Sequence, residues 1–227
     1  YFKIGFADRT LGLRLPNKNR SDGAEIRKRL MKIGVYRESG HEHFTGSVVF
    51  PILDENNQIS EIYGRKINDN LRKGTVYHMY LPGPHKGIFN HRCLQSKDII
   101  LTESIIDALS FWCNGHKNVT SIYGTEGFSN ELEEALKKHK TQRVYLAYDN
   151  DDAGNRAVER DTKRLGDIGI EVYRIKFPHG QDANEYTLSV TPASKSLATL
   201  INGAHFLNSS TSTLAANVSS SECKATK

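Results

Sequence analysis

The 227-residue chain holds only three cysteines, Cys93, Cys113 and Cys223, and none has a second cysteine within four residues. That scarcity argues against a disulfide framework or a paired-cysteine zinc site, so no zinc is expected in this chain, and the reducing cytoplasm is the expected compartment. No apolar run approaches the roughly 18 residues that a membrane-spanning helix needs, and no membrane role is expected. The chain opens Tyr1-Phe2-Lys3-Ile4, with neither a basic-then-apolar leader nor an initiating Met. It therefore reads as a piece of a longer protein. No Ser/His/Asp pattern for nucleophilic catalysis stands out. Among nine histidines only His41 and His43 lie close together, and with no Cys or third His beside them they read as loop residues.

What is present is an uneven distribution of charge. Apolar residues make up 37% and charged residues 25%, the mix of a globular protein, with a formal net charge of +5. Residues 1–97 carry 17 basic and 9 acidic side chains, net +8, whereas residues 98–227 carry 14 and 17, net −3. A polyanion-facing half beside an acidic, metal-holding half is the expected arrangement.

From Asp98 onward apolar runs alternate with helical spacing. Ile99-Ile100-Leu101 suits a buried strand, and Ile105, Ile106, Ala108, Leu109 and Trp112 follow at helical intervals. A second extended piece, 118–123, precedes a helix over 130–139 with Ser129 as N-cap; Val144 to Tyr148 is a third strand, and a helix over about 152–165 leads to a fourth strand over 171–176. Gly166 and Gly169 are available to end the third of these helices. This alternation predicts an α/β fold with a mostly parallel sheet flanked by helices. The first half reads as a small basic α+β unit, with a helix over 24–33 and strands over 48–53 and 61–63 joined by the Asp54-Glu55-Asn56-Asn57 turn. The expected divisions are 1–97, 98–190, a C-terminal helical segment over 191–207, and a Ser/Thr/Asn/Ala-rich disordered tail over 208–227.

In a parallel sheet the strands' carboxyl ends share an edge, which places Glu103 near Asp149 and Asp151. Asp107 lies one turn beyond Glu103, and Asp182 follows the last strand. Carboxylates gathered in this way repel one another unless a divalent cation lies among them, and oxygen ligands suit Mg²⁺ or Mn²⁺. Helix capping by Asp151 or Asp152, a first-turn role for Glu103 and a turn start at Asp182 are the simpler alternatives.

Three segments, Glu103-Ser104-Ile105-Ile106-Asp107-Ala108, Tyr123-Gly124-Thr125 and Tyr148-Asp149-Asn150-Asp151-Asp152-Ala153-Gly154, resemble the TOPRIM domain shared by bacterial-type primases, topoisomerases and some nucleases. The resemblance implies catalytic metal binding by Glu103, Asp149 and Asp151, support from Asp107, and a turn shaped by Gly124 and Thr125. Asp182 would add a ligand for the nucleotide's own metal. The first half, through Lys3-Ile4-Gly5-Phe6-Ala7, Val48-Val49-Phe50-Pro51-Ile52 and Tyr63-Gly64-Arg65, is similar to the basic N-terminal subdomain of the DnaG-type primase core. Two positions depart from that pattern: Asn184 stands where many bacterial primases carry a second Asp, and Met79 where they carry a basic residue.

This likeness implies a DNA-directed RNA polymerase making short primers on single-stranded DNA from NTPs, with a replicative helicase or helicase domain as partner. The nucleic-acid contacts would come from Arg65, Lys66, Arg72 and Lys73. Tyr63, Tyr77, Tyr80 and Phe89, interleaved with the charges, would either stack on bases or form core. A non-polymerising TOPRIM DNA-binding module of a mobile-element or phage replication protein is the alternative. A metal-dependent nuclease would leave the primase-like first half without a role.

Overall fold

The computed structural model describes residues 1–68, 70–124 and 127–208, and Cys223 and most of the expected tail lie outside these. The chain begins with β1 (Gly5–Phe6), α1 (Leu11–Arg14) and α2 (Ser21–Lys32), then β2 (Ser47–Leu53), β3 (Ile59–Lys66) and β4 (His78–Tyr80). These four strands form one antiparallel sheet in the order β1-β2-β3-β4. The β2–β3 turn falls where Asp54 predicts it. The Asp54 carboxylate accepts from the backbone N–H groups of Asn56 and Gln58, both at 2.8 Å, and Asn57 takes the left-handed conformation.

The second half contains β5 (Asp98–Thr102), α3 (Ile105–Cys113), β6 (Val119–Ser121), α4 (Asn130–Lys138), β7 (Arg143–Ala147), α5 (Asp152–Asp167) and β8 (Glu171–Arg174). It ends with α6 (Ala183–Ser189), α7 (Ala193–Asn202) and β9 (His205–Phe206). The sheet order is β6-β5-β7-β8-β9, with β9 antiparallel to β8 and the other pairings parallel. Ser129 caps α4 as expected, accepting from Leu132 N. Gly166 lies inside α5, and the chain turns away at Gly169, whose φ of 79° suits a residue without a Cβ. The segment over 191–207 is helical only through Asn202, after which β9 rejoins the sheet.

Successive residues of β5 face opposite layers. Ile99 and Leu101 pack with Leu132 and Leu136 of α4 and Leu165 of α5, while Ile100 packs with Ile105 and Phe111 of α3. That two-sided burial explains the continuous apolar run. Phe50, Ile52 and Tyr63 of the antiparallel sheet belong to the same apolar cluster as Ile100 and Phe111, so one core joins the two sheets. No helix among the described residues is long and apolar enough to cross a membrane.

Candidate active site

Thr102 at the end of β5 pairs with Ala147 at the end of β7. Glu103 and the Tyr148-Asp149-Asn150-Asp151 loop therefore leave adjacent parallel strands at one edge. Three helix starts fix this edge. Ser104 caps α3 by accepting from Asp107 N, and its hydroxyl donates to Asp107 Oδ2 at 2.6 Å. Asp151 caps α5, with Oδ1 accepting from Gly154 N at 2.7 Å, and Asp182 caps α6, accepting from Glu185 N at 2.7 Å. The capping alternative thus holds for one oxygen of Asp151 and one of Asp182. Gly124, in the left-handed region at φ 84°, donates its backbone N–H to the carbonyl of Glu103 at 3.2 Å, which ties the turn after β6 to the edge. Thr125 lies outside the described residues.

The electrostatics are those of crowded carboxylates. Burial, then Asp149 and Asp151, push the Glu103 carboxyl up to about 7. Burial, then Asp182 and Asp151, raise Asp149 to about 6. Asp107, only 3% exposed, is raised to about 7 by burial and next by Asp182. Glu103 Oε2 is buried and has no hydrogen-bond partner among the described residues. Ordinary carboxyls titrate near 4. Each of these three binds its proton more tightly folded than unfolded, so its stabilising contribution is complete below about pH 4 and lost as pH rises through about 6 to 7. In chelator, the melting temperature is therefore expected to fall between about pH 4 and 7.5, with a smaller fall in Glu103→Gln. Identical slopes in the two proteins would contradict this.

Asp107 also links two helices. Beyond Ser104, its Oδ1 accepts from Asn184 N at 3.1 Å, fastening α6 to α3. Asn184 is itself occupied, since its Oδ1 accepts from the Ser110 hydroxyl at 3.3 Å. The position that departs from the acidic pattern is therefore a helix-to-helix contact.

The basic residues divide. Arg65 and Tyr63 share one face of β3, where the Tyr63 hydroxyl feels the charge of Asp107. Arg65 Nη1 donates to His78 Nε2 at 2.6 Å, and Tyr63 Oη meets His78 Nδ1 at 2.7 Å. Lys66 points to the opposite face, where its ammonium donates to the Thr45 carbonyl. Arg72 and Lys73 are exposed in the β3–β4 loop. Among the aromatic candidates, Tyr63 and Phe89 are core side chains and Tyr80 is half-buried, which leaves Tyr77, beneath the Arg65 guanidinium, as an exposed ring.

Arg174 went unnoticed in the sequence. It is 6% exposed, donates through Nη2 to the Asp149 carbonyl at 3.0 Å, and lies close enough to Glu103 and Asp151 to feel both charges. Its signal was parity, because Arg174 shares the buried face of β8 with Val172. Gly154 also matters, since a Cβ there would stand 2.2 Å from the Asp149 carbonyl oxygen.

Residues 100–187 match the family model described as Toprim-like. The DNA primase of Aquifex aeolicus is 29% identical over 165 residues, which cover 67% of this chain and 31% of that protein, and the DNA primase of Clostridium acetobutylicum is 27% identical over 157 residues, 64% of this chain and 25% of that one. The chain thus spans about a third or less of the length of these relatives. Among solved structures, the Aquifex aeolicus primase zinc-binding and RNA polymerase domains superpose with a TM-score of 0.72 at 24% identity, over 91% of this chain and 52% of that one. A DnaG primase catalytic domain bound to ssDNA gives 0.72 at 18% identity, over 90% and 66%. The chain has the α/β TOPRIM fold of DnaG-type primase catalytic cores, with its acidic edge at the ends of β5 and β7.

Proposed function

We propose that this chain is a DNA primase catalytic core, which joins nucleoside triphosphates into short RNA on a single-stranded DNA template. The supporting observation is the meeting of Glu103 with Asp149 and Asp151 at one sheet edge, with a buried Glu103 oxygen that has no partner among the described residues. Those features fit a divalent cation, Mg²⁺ or Mn²⁺. Among the described residues no three His, Cys, Asp or Glu side chains converge closely enough to hold an ion by themselves. Water and substrate phosphates would complete the shell of a divalent ion here, so the three carboxylates need not all bind one ion directly.

Glu103, Asp149 and Asp151 are the proposed ligands, with Asp182 serving the incoming nucleotide. A bound divalent ion supplies charge neutralisation at the phosphates and a lowered pKa for the attacking 3′ hydroxyl. The protein's own part is positioning. Asp107 and Ser104 set the start of α3, Arg174 holds the Asp149 main chain, and the Asp151 cap keeps its loop fixed against α5. No side-chain nucleophile is needed. Partnership with a replicative helicase follows from the same likeness.

Arg65 is the proposed template contact beside this edge. Arg65→Ala is expected to weaken single-stranded DNA binding by about tenfold and to reduce the slope of log affinity against log salt by about 0.7, the value for one lost phosphate contact. A salt titration by fluorescence anisotropy measures both. The polymerase reading itself is tested by incubating the folded chain with single-stranded DNA, labelled nucleoside triphosphates and Mg²⁺ or Mn²⁺. Template-dependent short RNA is expected, and no product with either metal would contradict it.

A further inference from the structure

The antiparallel sheet has a second face. Along β3, Glu61, Tyr63 and Arg65 look toward the acidic edge, and Ile62, Gly64 and Lys66 look away from it. Packing confirms the parity, since Tyr63 belongs to the core shared with the parallel sheet, whereas a Cβ at Gly64 would stand 2.4 Å from the Phe44 ring on the other side.

On that far face lies a cleft of about 860 Å³, within the size range of small-molecule sites. Its walls are the segment after β1, the start of α1, the loop over 36–46 and the end of β3. Arg9, Arg37 and Lys66 bring three cationic side chains to it. Burial, then the charges of Arg37 and Arg9, lower the Lys66 pKa, so the three stand within electrostatic reach of one another. Arg9 is held in the left-handed region at φ 69°, a costly conformation for a residue with a side chain. Arg27 spends Nη1 and Nη2 on three carbonyls, of Pro16, Gly23 and Gly12, and forms wall, whereas Lys66 makes one such bond, to Thr45, and Arg37 one, from Nη2 to His43 at 3.3 Å. Of the two acids among the described lining residues, Asp8 is turned onto the backbone N–H and hydroxyl of Thr10, and Glu42, half-buried, lines both this cleft and the cavity beside it.

Tyr36 supplies an independent observation. It is 6% exposed, lines the cleft beside Gly12, and its hydroxyl has no hydrogen-bond partner among the described residues. A buried hydroxyl left without a partner costs free energy that a ligand oxygen at that point would recover. Adjoining the cleft, and sharing Phe6, Ala7, Asp8 and Glu42 with it, is a mostly apolar cavity of about 260 Å³ whose further walls include Val35, Phe44, Val49 and Ile62, with Arg14 at its edge. Cations at one end and an apolar chamber at the other match a phosphate chain attached to a flat heterocycle. A single strand of nucleic acid needs a row of open aromatic faces instead, and Tyr36 is too deeply buried to be one.

We propose that the cleft formed by Arg9, Arg37, Lys66 and Tyr36 is a second nucleotide site, separate from the acidic edge, which takes the polyphosphate of a nucleoside di- or triphosphate with its base in the adjoining apolar cavity. This site does not depend on the carboxylates, so its occupancy needs no divalent ion.

Calorimetric titration of ATP, inorganic tripolyphosphate and a short oligothymidylate into the 227-residue chain in EDTA tests it. ATP is expected to bind, and more tightly than tripolyphosphate. Arg9→Ala and Arg37→Ala, both at exposed side chains, are each expected to weaken ATP about tenfold, and Tyr36→Phe about fivefold. Asp149→Asn is expected to leave this affinity unchanged. No ATP binding in EDTA, or binding indifferent to both arginine changes, overturns the site. Equal affinity for tripolyphosphate overturns the base-binding half. Oligothymidylate that displaces ATP and binds more tightly reassigns the cleft to nucleic acid and overturns the proposal. Failure here with primer synthesis intact condemns the cleft alone, and the converse condemns only the polymerase reading.

Discussion

Asp149→Asn is expected to reduce primer synthesis by about 10²–10³-fold while the protein stays folded. Asp149 sits where burial and neighbouring carboxylates already hold its pKa at about 6, so the site stores unfavourable charge that a cation would relieve. Asparagine keeps the shape and removes that charge. In EDTA near pH 7.5 the same change is expected to raise the melting temperature slightly, because the repulsion with Asp151 and Asp182 disappears. Stability and activity thus move in opposite directions, which a merely structural role for Asp149 would not produce. Incorporation of labelled nucleotide, measured alongside a circular-dichroism melt, reads both, and a variant that is destabilised yet fully active would contradict the assignment.

The second large effect belongs to a residue with no chemistry of its own. Gly154→Ala is expected to destabilise the protein by about 1–3 kcal/mol, the range for overpacking a tight contact. At an open helical position the same change stabilises by about 0.5–1 kcal/mol, so the sign is diagnostic. The cause is the approach of α5 to the Asp149 carbonyl, 2.2 Å from where the new Cβ would stand. To relieve the clash the loop must move, and the Asp151 oxygen that caps α5 through Gly154 N moves with it. Primer synthesis is expected to fall by more than tenfold even at temperatures where the variant is fully folded. Urea denaturation gives the stability change; a neutral or stabilising result would show that the contact is not tight.

Much of the second half was legible because its signals are local. Ile99-Ile100-Leu101 and Val144 to Tyr148 read as buried strands without knowledge of their partners, and Ser129 capped its helix where the sequence placed it. Glu103, Asp149 and Asp151 could be brought together because Glu103 follows β5 directly and Asp149 and Asp151 lie within four residues of the end of the parallel neighbour β7. What escaped depended on the fold as a whole. The two-residue β9 exists only through pairing with Tyr173 and Arg174, and no local pattern in His205-Phe206 announces it. Aromatic identity did not separate Tyr63 and Phe89, which are core, from Tyr77, which is exposed. Arg65 and Lys66 are neighbours in sequence yet lie on opposite faces of one strand, a difference that follows from strand parity once the bounds of β3 are known. Arg174 was hidden for the same reason, since an arginine on the buried face of a strand is visible only when that face has been identified.

The edge formed by Glu103, Asp149 and Asp151 is proposed to hold a divalent cation for nucleotidyl transfer. The most direct measurement is anomalous diffraction from crystals of the chain grown with Mn²⁺ and a nucleoside triphosphate. The expected result is a Mn²⁺ peak at about 2.1–2.2 Å from oxygens of at least two of these carboxylates, with its remaining ligands from water and phosphate. An edge free of anomalous density at saturating Mn²⁺, or Mn²⁺ bound only at other carboxylates, would contradict it.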